Sequence, residues 1–420
     1  MSAAAADPDA LTRYAGVVAT SALDLAGAGR WLAQAAVDDA ERGAAATELA
    51  ARIDRLALDE AATGRWVAAV GRAFADADRG AVLAAVDLLG ALAAHPVGSG
   101  VGRAALRSFL AGSPSAALVR AAGVALGPDG LADLARSSPA SIGPIDGMPV
   151  AARLVANREL VRRALAASTD PDRRRTLAAL LADDPRTGRP RQILLFDPAG
   201  DGRVAEVFGD LDRARSVAVL VPGVSSDLGN FDRTVARPAS DLAHRAGALA
   251  GPAGAAVVAW LGYDPPDGLV VDVDELGELV RARAAREGGA ALARFVDGLD
   301  LGPDRSLTLV GHSYGSTTIG AAVLVGVEPA NVVVLGSPGV LVDRADEFGR
   351  DGTDFFALAA PRDPVADLGW FGRSPSRAGS GFRRLAAGGS GHSSYLVDGS
   401  VGQANVAAVV VDRDDLLRGG

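Results

Sequence analysis

From Ala10 to about Ser138 apolar residues recur three or four positions apart between breaks at Gly or Pro, and alanine fills much of the rest. That period predicts a succession of short helices. Leu23 and Leu25 leading into Trp31 and Leu32 form one stripe, and Val82, Leu83, Val86, Leu88 and Leu89 form another. The triplets Gly29-Arg30-Trp31 and Gly64-Arg65-Trp66 open similar stretches 35 residues apart. They suit a duplicated helical hairpin, with chance similarity in an Ala- and Arg-rich chain as the competing reading. The stretch Ser137-Ser138-Pro139-Ala140-Ser141-Ile142-Gly143-Pro144 breaks the pattern. It divides an α-helical N-terminal region, residues 1–140, from a second domain, residues 141–420, whose first helix runs from Val150 to Ala167.

After Pro190 the period changes. Short apolar runs rich in β-branched residues appear at Gln192–Phe196, Val204–Phe208, Val217–Val221, Ala255–Trp260, Leu307–Val310, Val332–Leu335 and Phe355–Leu358. Most are apolar throughout rather than alternating, as expected of strands covered on both faces. Helical stretches lie between them, at Asp241–Leu249, Glu275–Leu299 and Thr317–Val325. Alternation of strand and helix predicts an α/β fold with a mostly parallel sheet flanked by helices. In such sheets ligands bind beyond the carboxyl ends of the strands, so chemistry is sought just after each apolar run. No charged residue falls between Arg305 and Glu328, a span long enough to raise the question of a transmembrane helix. Gly311, His312, Ser313 and Gly315 to Thr318 interrupt it, which favours a buried strand, turn and helix.

Composition narrows the chemistry. The chain has 420 residues, enough for two or three domains at roughly 150 each. Its 42 basic and 51 acidic residues leave a net charge of −9, which argues against a nucleic-acid partner. All of the basic residues are arginine, so Walker loops, Schiff-base lysines and the kinase lysine are excluded. The absence of cysteine removes thiol nucleophiles, thiolate metal sites and disulfides. Met1 to Asp9 shows neither a basic segment nor an apolar one, so no secretory signal is expected there. Imidazole chemistry is confined to His95, His244, His312 and His392.

The run Leu307–Val310 leads into Gly311-His312-Ser313-Tyr314-Gly315, which fits G-x-S-x-G, and a helical segment begins at once. Glycines flank such a serine because the turn is strained and strand and helix approach closely. Ser313 is therefore the expected nucleophile. A serine hydroxyl needs a base, and in this kind of turn the acid and the histidine follow the serine in chain order. Only His392 lies after Ser313; His312 is expected to pack or orient the turn, and His244 and His95 to be structural. The carboxylate that orients the imidazole is expected at Asp363, just beyond Phe355–Ala360, with Asp343 and Asp346 as competitors from the preceding loop. An oxyanion hole needs two N–H donors, expected from Tyr314 and from Val224 or Gly223 in the loop after the third strand. Trp260, Tyr263, Trp370 and Phe371 are the aromatic residues placed to wall an acyl pocket, with core packing an equal alternative for Trp260.

Five segments together carry a more specific resemblance: Val221-Pro222-Gly223, Ala259 to Asp264, Gly311 to Ser316, Gly336-Ser337-Pro338-Gly339 and His392-Ser393-Ser394-Tyr395. With Gly147-Met148-Pro149 and Ala156-Asn157-Arg158 upstream, the chain from about Ile145 onward resembles an actinobacterial α/β-hydrolase family known as domain of unknown function 1023. The resemblance implies an α/β-hydrolase fold and a serine hydrolase whose triad maps onto Ser313, Asp363 and His392. The expected activity is cleavage of small-molecule carboxylic esters or thioesters, without metal or organic cofactor. The alternative is a non-catalytic binding or type VII secretion-associated scaffold that keeps the hydrolase shape. Some relatives carry N-terminal helices that look like the Trp-x-Gly proteins of type VII secretion. Here neither Trp31 nor Trp66 has a glycine two residues later, so a cytoplasmic location is expected, with signal-peptide-independent export as the alternative. No partner for the helical region is implied.

Overall fold

Strands that are apolar on both faces must be covered on both faces, and the structure, a computed structural model, follows that rule. It describes residues 116–268 and 275–420. The sequence-predicted helices before Ser115, both Gly-Arg-Trp triplets and His95 lie outside the described residues. Two compact units divide between Ala152 and Arg153. In the first, helix α1 (Ala116–Ser137) bends at Gly127, which has φ 66° ahead of Pro128. A short 3-10 turn, Pro139–Ser141, follows it. Helix α2 (Val150–Ala167) and α3 (Pro171–Leu181) then precede the sheet.

The sheet is built from β1 (Gln192–Asp197), β2 (Arg203–Phe208), β3 (Ser216–Val221), β4 (Ala255–Leu261), β5 (Ser306–His312), β6 (Asn331–Leu335), β7 (Asp354–Leu358) and β8 (Arg383–Leu385). Their order is β1-β2-β4-β3-β5-β6-β7-β8. Strand β2 is antiparallel to both its neighbours, and all other pairs from β4 to β8 are parallel. Helices α4 (Arg237–Ala250), α5 (Glu275–Gly298), α6 (Tyr314–Leu324) and α7 (Val401–Val410) complete the element order. Every residue of β3, β4 and β6 is buried, which is why those runs read as Val, Ala and Leu without alternation. The register pairs Val221 with Gly311 and His312 with Leu335, bringing the carboxyl ends of β3, β5 and β6 level.

The uncharged span between Arg305 and Glu328 forms β5, a sharp turn and α6, whose residues Tyr314 to Val323 are all buried. Among the described residues no helix is long and apolar enough to cross a membrane. All seven sequence-predicted runs are strands, whereas β8, α3 and α7 went unread. Strand β8 is three residues long and two are exposed arginines, so it has no apolar run to detect. Helix α7 is apolar on almost every side and rich in valine, which hides its helical period. At the antiparallel edge Glu206 is buried and paired with Arg191 at 2.5 Å, and Arg191 also reaches Asp232 at 3.0 Å.

Candidate functional site

Strand β5 hands the chain to α6 through one residue, Ser313, with φ 56° and ψ −130°. A non-glycine residue held there stores about 1–3 kcal/mol of strain, and the surroundings impose it. Its N–H donates to the Leu335 carbonyl at 2.8 Å, and its own carbonyl accepts from the Ser316 N–H at 2.9 Å. The Ser316 hydroxyl is 2.5 Å from that carbonyl and 2.6 Å from the Ser337 hydroxyl. Both motif glycines are required by contact: a Cβ at Gly311 would stand 2.7 Å from the Ser316 backbone, and one at Gly315 would stand 2.3 Å from the Val221 carbonyl oxygen. Ser313 Oγ is buried and makes no hydrogen bond in this structure.

Asp363 lies in the turn beyond β7 with a fully buried side chain. Both of its carboxylate oxygens are 2.9 Å from His392 Nδ1. A carboxylate accepts, so Nδ1 carries the proton, and Nε2 of the neutral ring is left as the base. Asp363 Oδ1 also accepts from the Val365 N–H at 2.9 Å, and Oδ2 accepts from the Tyr395 hydroxyl. That hydroxyl in turn accepts from the Ala360 N–H at 2.9 Å. Burial acts to raise the Asp363 carboxyl, but the bonds from His392 and Tyr395 outweigh it and hold the group below its ordinary range. Burial, and then the bond to Asp363, push the Tyr395 hydroxyl up, so it remains a donor.

The turn after β6 fits around this pair. Gly336 has φ 58°, and a Cβ there would stand 2.4 Å from Asp363 Oδ2 and 3.0 Å from His392 Nδ1. His312 contributes from the other side. Its Nε2–H donates to the His392 carbonyl at 2.6 Å, and the two rings lie 4.8 Å apart. Burial, followed by the His392 ring, pushes the His312 imidazole down to about 4, so it is neutral at physiological pH. Expected to pack or orient the serine turn, His312 instead braces the loop that carries His392.

The loop after β3 abuts the serine. A Cβ on Gly223 would stand 2.7 Å from Ser313 Cβ and 3.1 Å from Oγ. The N–H groups of Gly223 and Val224 donate to no acceptor among the described residues. Tyr314 is the first residue of α6, so its N–H lies at the positive end of a helix. Ser313, His312, His392, Gly223 and Val224 border one cavity of about 430 Å³.

A family model described as alpha/beta hydrolase matches residues 197–372. The uncharacterized protein Rv0963c of Mycobacterium tuberculosis is 34% identical over 227 residues, which cover 49% of this chain and 81% of that protein. The chain belongs to an actinobacterial α/β-hydrolase family. The uncharacterized protein Rv2079 of the same species is 38% identical over 196 residues, 44% of this chain. The matched part spans only 29% of the length of that relative. Among solved structures, a carboxylesterase from Mesorhizobium loti is 17% identical, with 52% of this chain and 96% of that one covered at a TM-score of 0.31.

In this α/β hydrolase the aromatic residues expected to wall the pocket do not border the cavity over Ser313. Trp260 is 1% exposed and stacks on Tyr263 with ring centroids 5.8 Å apart. Tyr263 directs its hydroxyl to the Pro222 carbonyl at 2.7 Å. Phe371 is buried edge-on against Tyr314, and its neighbour Trp370 is half-buried away from the lining. The physical reason is that an all-apolar strand feeds the core on both faces, and Trp260 lies inside β4, where every residue is buried. The competing acids also lie apart from His392: Asp343 accepts from the Arg373 N–H at 2.8 Å, and Asp346 pairs with Arg344 at the surface. His244 is exposed on α4. Sequence reasoning missed Tyr395 and Gly336 as parts of the site, although both fall within segments that carried the family resemblance.

Proposed function

We propose that this hydrolase is a serine hydrolase acting on carboxylic esters or thioesters, with Ser313 as nucleophile, His392 as base and Asp363 as the residue that orients His392. The observation that carries the reading is the Asp363–His392 pair, with both carboxylate oxygens 2.9 Å from Nδ1 and His392 bordering the same cavity as a strained buried serine. Ser313 Oγ attacks the acyl carbon while His392 Nε2 takes its proton. The tetrahedral oxyanion is received by the N–H groups of Tyr314 and of Gly223 or Val224. The alcohol or thiol then leaves with the proton from Nε2, and water activated by His392 releases the acid and restores Ser313. The missing hydrogen bond from Ser313 Oγ accords with the general tightening of such contacts when substrate is bound. We assign the chain more narrowly to domain of unknown function 1023, on segments that extend past the matched region to His392 and Tyr395.

An active-site phosphonate tests this reading. The expected result is a single adduct, on Ser313, because only a base-activated serine beside an oxyanion hole reacts readily. The Ser313→Ala protein should take up none. Absence of label in folded wild-type protein would favour the non-catalytic scaffold.

A further inference from the structure

Between β3 and α4 the chain makes a π-helical turn, Asp232–Ala236. Such wide turns occur often at functional sites, and here Arg233, Thr234 and Val235 all border the cavity that holds Ser313. Arg233 is exposed, at the mouth, while Leu220, Val235 and Leu335 supply apolar wall. Among the described residues no Asp or Glu borders the cavity, and Arg233 is the one arginine that does.

The neighbouring arginines are accounted for, and Arg233 is not. Asp232, next to it in the chain, is held by Arg191 at 3.0 Å and Arg237 at 3.6 Å. Asp227 Oδ1 accepts from the Asn230 N–H at 2.8 Å. Among the described residues the Arg233 guanidinium has neither ion pair nor hydrogen bond, and the hydroxyl of buried Ser226, on the same cavity, also has no partner. A guanidinium is a fixed fork of donors suited to a carboxylate or phosphate. The whole chain carries −9 and repels anions at long range, so attraction of an anion to this mouth has to be local.

We infer that the substrate of this site carries an anionic group, carboxylate or phosphate, which Arg233 and the Ser226 hydroxyl receive at the cavity mouth while the ester carbonyl lies over Ser313. This inference rests on the serine-hydrolase reading and deepens it. Specificity then comes from one cation placed against an apolar wall.

The test compares matched esters on the full chain. The 4-nitrophenyl half-esters of succinic, glutaric and adipic acids, and 4-nitrophenyl 3-phosphonopropanoate, are each set against a neutral isostere with an isopropyl or ester group in place of the anion. At one chain length or more kcat/KM should favour the anion by about tenfold, the discrimination that one charge-assisted hydrogen bond supplies. Added salt should reduce that preference. Arg233→Gln should abolish it, Arg233→Lys retain part of it and Arg233→Glu invert it, whereas Arg237→Gln should leave the ratio as in the wild type. Because each protein supplies its own ratio, a partial folding defect does not alter the outcome. The carboxylate and phosphonate arms separate the two anion classes. Turnover of neutral esters with no anion preference at any length, or a preference that survives Arg233→Gln, would overturn the inference and leave the hydrolase reading intact. Failure of the phosphonate to label Ser313 would instead remove the hydrolase reading, and this inference with it.

Discussion

At the scale of single residues, Asp363 shows two opposed effects and which of them prevails. Desolvation raises a buried carboxyl, yet donors from His392, Tyr395 and Val365 converge on it and keep it charged. A charged acceptor beside Nδ1 selects the imidazole tautomer with a bare Nε2, which is what a general base for Ser313 requires. Asp363→Asn keeps the size and removes that selection, so kcat on a small soluble ester should fall about 10⁴-fold. Asp343→Asn and Asp346→Asn should remain near wild-type, because one carboxylate receives a loop N–H and the other a surface arginine. Circular dichroism on the three proteins separates catalytic loss from unfolding. A large loss in Asp343→Asn or Asp346→Asn, with Asp363→Asn unaffected, would move the orienting acid to the earlier loop.

At the scale of elements, the site depends on three turns that meet because the ends of β5, β6 and β7 are in register. The turn after β6 supplies no member of the proposed triad, and Gly336 there leaves room for it. Gly336 combines a left-handed φ of 58° with a position 2.4 Å from Asp363 Oδ2 for any added Cβ. Gly336→Ala must therefore displace either the carboxylate or the turn. A shift of about 1 Å costs on the order of 10²-fold in rate, so turnover should fall by at least that factor while far-UV circular dichroism still reports the sheet. Gly352→Ala, where an added Cβ meets nothing within 4 Å, is the matched control and should be neutral. Wild-type kinetics in Gly336→Ala would mean that the pair of Asp363 and His392 tolerates repacking and that the turn is not a constraint on it.

At the scale of the whole molecule, all eight strands among the described residues and every residue proposed for catalysis lie after Arg191. The sequence places a boundary at 140/141, and we propose that a fragment from Ser141 to Gly420 folds by itself and cleaves a short soluble ester at the full-length rate. It contains the complete sheet and site, which is what independent folding of a domain needs. Comparison of fragment and full chain on short and long acyl esters locates the contribution of the preceding region. Loss of short-ester turnover in a fragment that unfolds cooperatively would show that the earlier residues help build the active site.

The local pattern by itself determined the seven long strands, since burial on both faces leaves uniform apolar runs, and it determined the serine turn, since backbone contact leaves glycines on both sides. Chain order then selected His392, and strand-end position ranked Asp363 above its competitors. Tertiary structure decided what no local pattern encodes. Strand β8 exists because β7 offers an edge to pair with, not because Arg383-Arg384-Leu385 favours extension. Tyr395 belongs to the site because its hydroxyl bridges two groups from another loop, more than thirty residues earlier. Trp260 and Tyr263 went to the core and Arg233 to the cavity because the register of the sheet and the wide turn before α4 set which side chains meet. Residues distant in sequence come together through that geometry, whereas composition and period record only how much of each residue is buried.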